Sequence, residues 1–174
     1  MSDRVGEGLR IRRAVPADAD ALSRLARDVA AEPGGWLLTL GTWRSSSDER
    51  RAIRILRRHP DAAIFVAETD LGIIGRLSLT RDHHPSSQHV ADLGLMVASG
   101  HRRRGVGRAL LETAVEWARS AGVSKLELHV FPHNEAAIRL YESFGFEREG
   151  YRTRHYHRGQ EYVDAILMAY FVPG

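Results

Sequence analysis

The sequence predicts a mixed α/β fold built as one domain, and three observations support this prediction. Stretches of alternating apolar and polar residues, typical of half-buried strands, are interleaved with stretches whose apolar residues recur at helical spacing. The 174 residues are enough for one domain with a sizeable core. Hydrophobic residues make up 43% of the chain and charged residues 27%, as is usual for a globular protein.

The N-terminal part of the chain predicts a strand and then a helix. Residues 9–14 alternate as a strand does. Pro16 then opens a helix whose apolar residues Leu22, Leu25 and Val29 share one face. This strand and helix form the first α/β unit of the predicted fold.

A second helix follows a loop that is unusually apolar. Segment 32–43 contains Trp36 and Trp43, which give it more apolar surface than a simple linker needs. Ser46 and Glu49 have the spacing of a capping box, so they predict the start of the second helix. The tryptophan-containing loop therefore lies between two helices.

Two strands, 62–68 and 73–80, are predicted to form a hairpin around a short turn. A third strand, 89–98, follows a polar loop. Three histidines lie in or beside this region: His83, His84 and His89. No acidic residue accompanies them at a fixed helical spacing, so we predict no metal site here.

Stretch 97–111 joins a strand to a helix through a glycine-spaced basic turn. Gly105 and Gly107 would let a ligand approach the backbone, and the N–H groups at the helix start would point at it. The helix dipole favours an anion at this end, and a phosphate suits the geometry. Four arginines add positive charge: Arg102, Arg103, Arg104 and Arg108. The turn is therefore predicted to bind a pyrophosphate.

The spacing of this turn excludes two familiar phosphate-binding loops. The pattern G-x-x-x-x-G-K-[ST] is absent, and G-x-G-x-x-G fails because Leu110 stands three residues after Gly107. What remains is R-x-x-G-x-G, formed by Arg102, Gly105 and Gly107. In this motif the sequence resembles the GNAT superfamily of acetyl-CoA-dependent N-acetyltransferases, whose pyrophosphate loop lies between a strand and a long helix.

A second motif further along the chain strengthens this resemblance. Residues 128–146 match the family pattern L-x-V-x-x-x-N-x-x-A-x-x-L-Y-x-x-x-G-F without a gap. The residues alone predict a strand, an N-cap at Asn134 and a short helix ended by Gly145. Two more strands, 147–155 and 162–171, are predicted to follow.

The resemblance implies one N-acetyltransferase domain over residues 1–174 with a GNAT-like α/β (α+β) fold. In that fold a strongly twisted mixed sheet of about seven strands is flanked by about four helices, and two central strands splay apart around coenzyme A. We expect the following parts: an N-terminal strand and two helices with the acceptor-side loop (9–60), a pyrophosphate-binding unit (89–121), and the second motif with the C-terminal strands (125–171).

The resemblance also implies roles for individual residues at the donor site. Tyr141 stands where the family often has a tyrosine as general acid for the departing thiolate, and a phenol of pKa near 10 suits that role. Asn134 would bind the pantetheine arm of coenzyme A in addition to capping its helix. A backbone N–H near Met96 or Val97 would stabilise the oxyanion. The predicted cofactor-binding set is Met96, Val97, Arg102, Arg103, Arg104, Gly105, Val106, Gly107, Arg108, Asn134 and Tyr141.

Three residues are candidates for the general base. His129 stands where some family members have a glutamate, and histidine titrates near neutral pH. Asp92 and His89 are three apart on one predicted strand, so at most one of them faces the cleft. On the acceptor side, the resemblance makes Trp36 and Trp43 candidates for contact with the substrate.

The predicted reaction moves an acetyl group from acetyl-CoA to a primary amine by direct attack in a ternary complex. The chain has no cysteine, which excludes disulfides, thiolate metal sites and a cysteine-bound acyl intermediate. The C-terminal residues Glu149, Tyr162 and Asp164 belong to a pattern that resembles a bacterial branch acting on amino acids and other small amines. A small amine or amino acid is therefore favoured as acceptor. A protein N-terminus or side chain is the alternative acceptor, and a non-catalytic acyl-CoA sensor is the alternative of another class.

The composition predicts a cytoplasmic protein with no membrane or nucleic-acid partner. No apolar run approaches the thickness of a bilayer, and the N-terminus lacks the apolar core of a signal peptide. The net charge is only +3, and the arginines are scattered among acidic residues rather than gathered in a basic tail. Homodimers are frequent in the family, and the apolar strand 166–172 is compatible with a homodimer.

Overall fold

The structure is a computed structural model that describes residues 8–37 and 44–174. Its four helices are α1 (Ala19–Ala30), α2 (Ser46–Leu56), α3 (Val106–Ala121) and α4 (Glu135–Phe144), within the described residues. The strands in the same ranges are β1 (Arg10–Arg13), β2 (Ala62–Thr69), β3 (Gly72–Arg81), β4 (Val90–Val97), β5 (Lys125–Val130), β6 (Glu147–Arg158) and β7 (Glu161–Phe171).

The strands form one mixed sheet in the order β1-β2-β3-β4-β5-β7-β6. Neighbouring strands are antiparallel, except that β4 and β5 are parallel. The parallel pair requires a crossover, and α3 supplies it between β4 and β5. The predicted mixed sheet of seven strands with four flanking helices is confirmed.

The two central strands separate after a short paired segment. β4 and β5 pair only over 90–92 and 125–127, so the remaining residues of both strands diverge. This divergence is the splay that the resemblance implied. It leaves a gap in the middle of the sheet, beside the start of α3.

Helices cover the sheet on both faces, as the alternation of β2 shows. Ile64 and Val66 of β2 pack with Leu22 of α1 and Ile53 of α2. Ala63 and Ala67 point the other way and join the larger core, in which α3 packs through residues that recur at helical spacing. The buried residues of α3 in that core are Leu110, Leu111, Ala114, Val115, Trp117 and Ala118.

The start of α2 differs from the predicted capping box. Ser45, not Ser46, is the N-cap, and its hydroxyl accepts from the Asp48 N–H at 3.1 Å. Glu49 does not complete a capping box, because its carboxylate is fully buried and accepts from Arg76 Nη2 of β3 at 3.3 Å. A tertiary ion pair has replaced the local interaction that the spacing predicted.

Strand β7 lies inside the sheet, where it pairs with β5 on one side and β6 on the other. Its apolar residues Ala165, Ile166, Met168 and Ala169 are buried within the chain's own structure. The apolar character of this segment is therefore explained by the sheet, and it gives no support to a homodimer. The strand at this edge of the sheet is β6, and its residues are almost all exposed.

None of the helices in residues 8–37 and 44–174 combines the length and the apolar character that a transmembrane helix needs. Within the same ranges, no three His, Asp or Glu side chains converge in a way that could hold a metal ion.

Candidate active site

The turn before α3 leaves backbone donors free at the helix start. Gly105 adopts the left-handed conformation with φ 82°, which favours glycine, and α3 begins at the next residue with no side-chain cap. The first N–H bonded back into this turn is that of Ala109, which donates to Gly105 O at 2.9 Å. The N–H groups of Val106, Gly107 and Arg108 therefore have no carbonyl from their own helix and remain available to an anion.

Gly107 also lies against α4, a contact that the sequence did not indicate. A Cβ at this position would lie 2.7 Å from Leu140 Cδ2 of α4. The absence of a side chain therefore lets α4 pack closely against the first turn of α3. This contact joins the two motifs that carry the family resemblance.

Arg102 binds a carboxylate of the protein rather than standing free in the turn. Its Nη1 and Nη2 donate to the two carboxylate oxygens of Glu32, each at 2.7 Å. Its Nε donates to Val97 O at 3.0 Å. The guanidinium therefore ties the phosphate turn to the segment after α1.

The other three arginines of the turn remain at its surface. Arg108 pairs with Glu112 at 3.3 Å, and its guanidinium lies over the Phe144 ring. Arg103 and Arg104 are exposed and make no ion pair within the described part of the chain. These two arginines are the side-chain charges that an anion at the helix start would meet.

The backbone of β4 presents a donor to the gap. Ala98 N donates to Ile74 O of the β3 side at 2.8 Å. Because N–H directions alternate along a strand, the N–H of Met96 also points towards β3, whereas that of Val97 points into the gap. Of the two backbone positions named from the sequence, Val97 has the orientation that an oxyanion donor needs.

Tyr141 is buried with a hydroxyl that makes no hydrogen bond to any described residue. Its exposed fraction is only 6%, and its ring packs against Phe146 with centroids 5.6 Å apart. Burial raises the pKa of Tyr141 to about 12, so the phenol stays protonated at neutral pH. The hydroxyl oxygen itself is not fully enclosed, so it can donate to a ligand.

Asn134 caps α4 as predicted, since its Oδ1 accepts from the Ala137 N–H at 3.3 Å. The side-chain amide nitrogen is not used by this cap. It therefore remains available to a second partner.

Asp92 and His129 lie on the same face of the sheet. Asp92 is in register with Glu127, and His129 stands two residues further along the same strand. Burial, with the nearby Glu127 charge, raises the pKa of Asp92. His89 lies just before β4, where its carbonyl accepts from the N–H groups of Ser124 and Lys125, so its backbone has a structural role.

His129 bonds through Nδ1 to the Tyr156 hydroxyl of β6. Burial, with the positive charge of Arg152, lowers the pKa of His129 below 6.5, so its imidazole is neutral at physiological pH. The His155 ring lies edge-on at 5.2 Å between centroids. These three β6 residues were not predicted as site residues.

A bulge in β6 explains why sequence reasoning missed them. Between Arg152 and Tyr156 the register shifts against Val163–Ala165, so β6 has two more residues there than β7. Arg154 within the bulge has φ 52°. Simple alternation therefore does not predict which β6 side chains reach the site.

Trp36 lies at the border of the site. Its Nε1 donates to Glu32 Oε2 at 2.7 Å, and its ring stacks on His133, with centroids 5.8 Å apart. A Cβ at Gly34 would lie 1.9 Å from the Trp36 ring, so glycine is needed for this ring to fold back over the chain. Trp43, the other predicted substrate contact, lies outside the described residues.

Segment 32–37 spans the two sides of the cleft. On the β4 side, Glu32 binds Arg102. On the β5–β6 side, His133 Nε2 bonds to Gly34 O at 3.0 Å, and Arg158 Nη1 donates to Gly35 O at 2.7 Å. The segment therefore crosses the opening between the diverging strands.

A protein-family model for the acetyltransferase (GNAT) family matches residues 31–146, which include the phosphate turn and the second motif. The chain belongs to the GNAT family of acetyltransferases. It is thus an acyltransferase, and the resemblance that the two motifs carried is confirmed.

One relative of this GNAT protein covers nearly its whole length, and another covers less than half of it. It is 36% identical to the L-amino acid N-acetyltransferase AaaT of Escherichia coli (strain K12) over 91% of this chain and 95% of that protein. A ribosomal protein bS18-alanine N-acetyltransferase of the same organism is 41% identical, over 43% of this chain and 51% of its own length.

Solved structures confirm the fold. A GNAT-family acetyltransferase from Streptococcus pneumoniae superposes with a TM-score of 0.84 and 28% identity, covering 95% of this chain and 99% of that one. A Salmonella typhimurium structure described as a putative acetyltransferase with its cofactor acetyl-CoA has the same TM-score at 18% identity, covering 97% and 96%.

Acetyl-CoA is the acetyl donor of this family, and the residues present here fit it. The uncapped start of α3 suits the pyrophosphate, and the gap between β4 and β5 admits an extended arm. The Tyr141 hydroxyl makes no hydrogen bond within the described residues, so it is free to donate to a ligand. Each charge-assisted hydrogen bond at the helix start contributes about 1.5–3 kcal/mol.

Proposed function

We propose that this GNAT enzyme acetylates the amino group of an L-amino acid or a closely related small amine, with acetyl-CoA as donor. The observation that carries the proposal is the 36% identity to an L-amino acid N-acetyltransferase over nearly the full length of both chains. The two motifs alone would support only the reaction, because they belong to the donor side.

The residues at the donor site bind and orient the acetyl donor. We propose that the N–H groups of Val106, Gly107 and Arg108, with the Arg103 and Arg104 charges, bind the pyrophosphate, and that the Asn134 amide binds the pantetheine arm. Acetyl-CoA, when bound, supplies an activated acyl group. The Val97 N–H then stabilises the negative charge that develops on the acyl oxygen. The Tyr141 phenol donates a proton to the leaving sulfur.

The acceptor side must bind an ammonium and remove a proton from it. We propose that Asp92 attracts the ammonium group by its charge and that His129 accepts the proton through Nε2. The bond between His129 Nδ1 and Tyr156 supports this assignment, because it fixes the ring and leaves Nε2 for the substrate. The amine then attacks the thioester directly, since the chain has no cysteine to carry the acyl group.

Segment 32–37 supports a small acceptor. It crosses the cleft and is bound at both ends, by Arg102 and by Arg158. A free amino acid needs only the space beneath such a bridge, whereas a protein terminus must thread through the opening. A protein N-terminus is the second candidate, because part of the chain is similar to the bS18-alanine N-acetyltransferase.

The test is thiol release from acetyl-CoA across L-amino acids, their carboxamides, polyamines, aminoglycosides and short peptides, with acetyl-CoA binding measured by calorimetry. We expect release with free amino acids. Release with peptides alone would replace the proposal by the second candidate. Binding of acetyl-CoA with no release from any amine would indicate a sensor, and a lack of binding would contradict the assignment of the turn.

The remaining predictions from the sequence stand as proposals. We propose a cytoplasmic enzyme with no nucleic-acid or membrane partner, and a homodimer as its assembly. Sedimentation of the purified protein measures the assembly directly.

A further inference from the structure

The acceptor face is the face of the sheet that carries Asp92 and His129. Arg152 lies on this face and makes no ion pair with a carboxylate of the described residues. It pairs in register with Ala165 of β7, and β7 in turn places Leu167 opposite His129 of β5. Positions two residues apart on a strand share a face, so Arg152 lies on the face of His129. Within the described residues its side chain makes one hydrogen-bonding contact, from Nη1 to His155 Nε2 at 3.4 Å. No acidic group of the described residues lies within ion-pair distance of it.

The charge of Arg152 reaches the groups that would handle the amine. Burial is the main cause of the shifted pKa values of Asp92, His129 and Tyr156, and in each case Arg152 acts as well, in the lowering direction. The Arg152 charge therefore acts on all three of these groups. Its planar guanidinium is suited to a bidentate contact with a carboxylate.

The other arginines bordering the acceptor face have partners already. Arg158 donates to Gly35 O, and its guanidinium lies over the Phe131 ring. Arg154 lies over the Tyr162 ring, at 4.2 Å from its centroid. Arg102 is held by Glu32. Arg152 is thus the arginine of this face whose guanidinium is left for a ligand.

We propose that Arg152 binds the α-carboxylate of the acceptor and so selects amino acids over simple amines. This inference rests on the proposed function and names the residue that determines its substrate class. An amino acid carries its ammonium and carboxylate on one carbon, so its site needs an acidic and a basic partner on the same face. Asp92 of β4 and Arg152 of β6 provide these two charges on the face of His129, and the long Arg152 side chain would span part of the distance across β5 and β7.

The test compares each L-amino acid with its own carboxamide, which keeps the amine and side chain but lacks the negative charge. The wild-type enzyme should prefer the acid. In Arg152→Gln, kcat/KM for the acid should fall about 10- to 100-fold, the loss of a hydrogen-bonded charge, while that for the carboxamide stays within about twofold. Arg152→Lys should keep part of the preference, because the positive charge remains while the bidentate N–H geometry of the guanidinium is lost.

Arg154→Gln is the matched control, because it removes the same charge two residues away on the same strand. It should leave the preference for the acid intact. Acetylation of amino acids with an unchanged preference in Arg152→Gln would overturn the inference and leave the proposed function standing, as would a wild-type enzyme that accepts acid and carboxamide equally. No acetylation of amino acids or carboxamides by the wild type would instead contradict the proposed function.

Discussion

Replacement of Tyr141 by phenylalanine tests the general acid and its structural setting together. The change removes one hydroxyl that makes no hydrogen bond to the described residues, so no protein contact is lost. The hydroxyl oxygen is not fully enclosed, so its removal should change the free energy of unfolding by less than about 0.5 kcal/mol. Loss of a positioned general acid should lower kcat about 100- to 10,000-fold.

Three measurements separate these effects: steady-state thiol release, calorimetric binding of acetyl-CoA, and thermal unfolding. Acetyl-CoA affinity should change by less than about threefold, since one hydroxyl contributes a small part of the contacts expected for so large a ligand. Tyr170→Phe is the matched control, because Tyr170 belongs to the same aromatic cluster through Phe144 and Phe146 but lies on β7. Equal losses of turnover and acetyl-CoA affinity, or a lowered melting temperature, would show that Tyr141 acts through packing and would refute the assignment.

Three further predictions follow from individual contacts. His129 must be neutral to accept a proton, and burial lowers its pKa. The acidic limb of the plot of kcat/KM against pH should therefore lie below pH 6.5 and disappear in His129→Gln. A limb that stays in place would assign the base elsewhere. Glu49→Gln should reduce the free energy of unfolding by about 3 kcal/mol, measured with urea, because it breaks a buried ion pair with Arg76; a change under about 1 kcal/mol would contradict that role. Gly105→Ala should lower the free energy of unfolding by about 1–2 kcal/mol because of its positive φ alone, since nothing lies within 4 Å of the added Cβ. Gly100→Ala is its control, because Gly100 lies at an open position without a positive φ.

The parts of the fold that depend on local signals could be predicted from the sequence. The apolar positions Leu22, Leu25 and Val29 of α1 are buried as their spacing indicated, and Asn134 caps α4 as its position indicated. Gly122 and Gly145 end α3 and α4 in the left-handed conformation. These features depend on neighbours within a few residues, which a sequence displays directly.

The features that escaped prediction depend on distant partners. The ion pair of Arg102 was not foreseen, because its partner Glu32 lies 70 positions away. Glu49 was assigned to a capping box because Arg76 lies on another element. Ser45 and Ser46 are chemically equivalent as caps, so the sequence alone does not distinguish them.

The acceptor side of the site was the least predictable part, because it is built from strand register. Tyr156 bonds to His129 from just beyond the bulge in β6, and no local pattern announces two extra residues in an exposed strand. The donor side, by contrast, is formed by one continuous turn and one helix start, so its motif is visible in the chain.

The short pairing of β4 with β5 has a consequence for the cohesion of the molecule. Three residue pairs join the half of the sheet formed by β1–β4 to the half formed by β5–β7, and the main chain of both central strands is then left incompletely bonded. A ligand bound to the folded protein in this gap would add contacts between the two halves. We therefore expect the resistance of the enzyme to unfolding to rise with the concentration of acetyl-CoA.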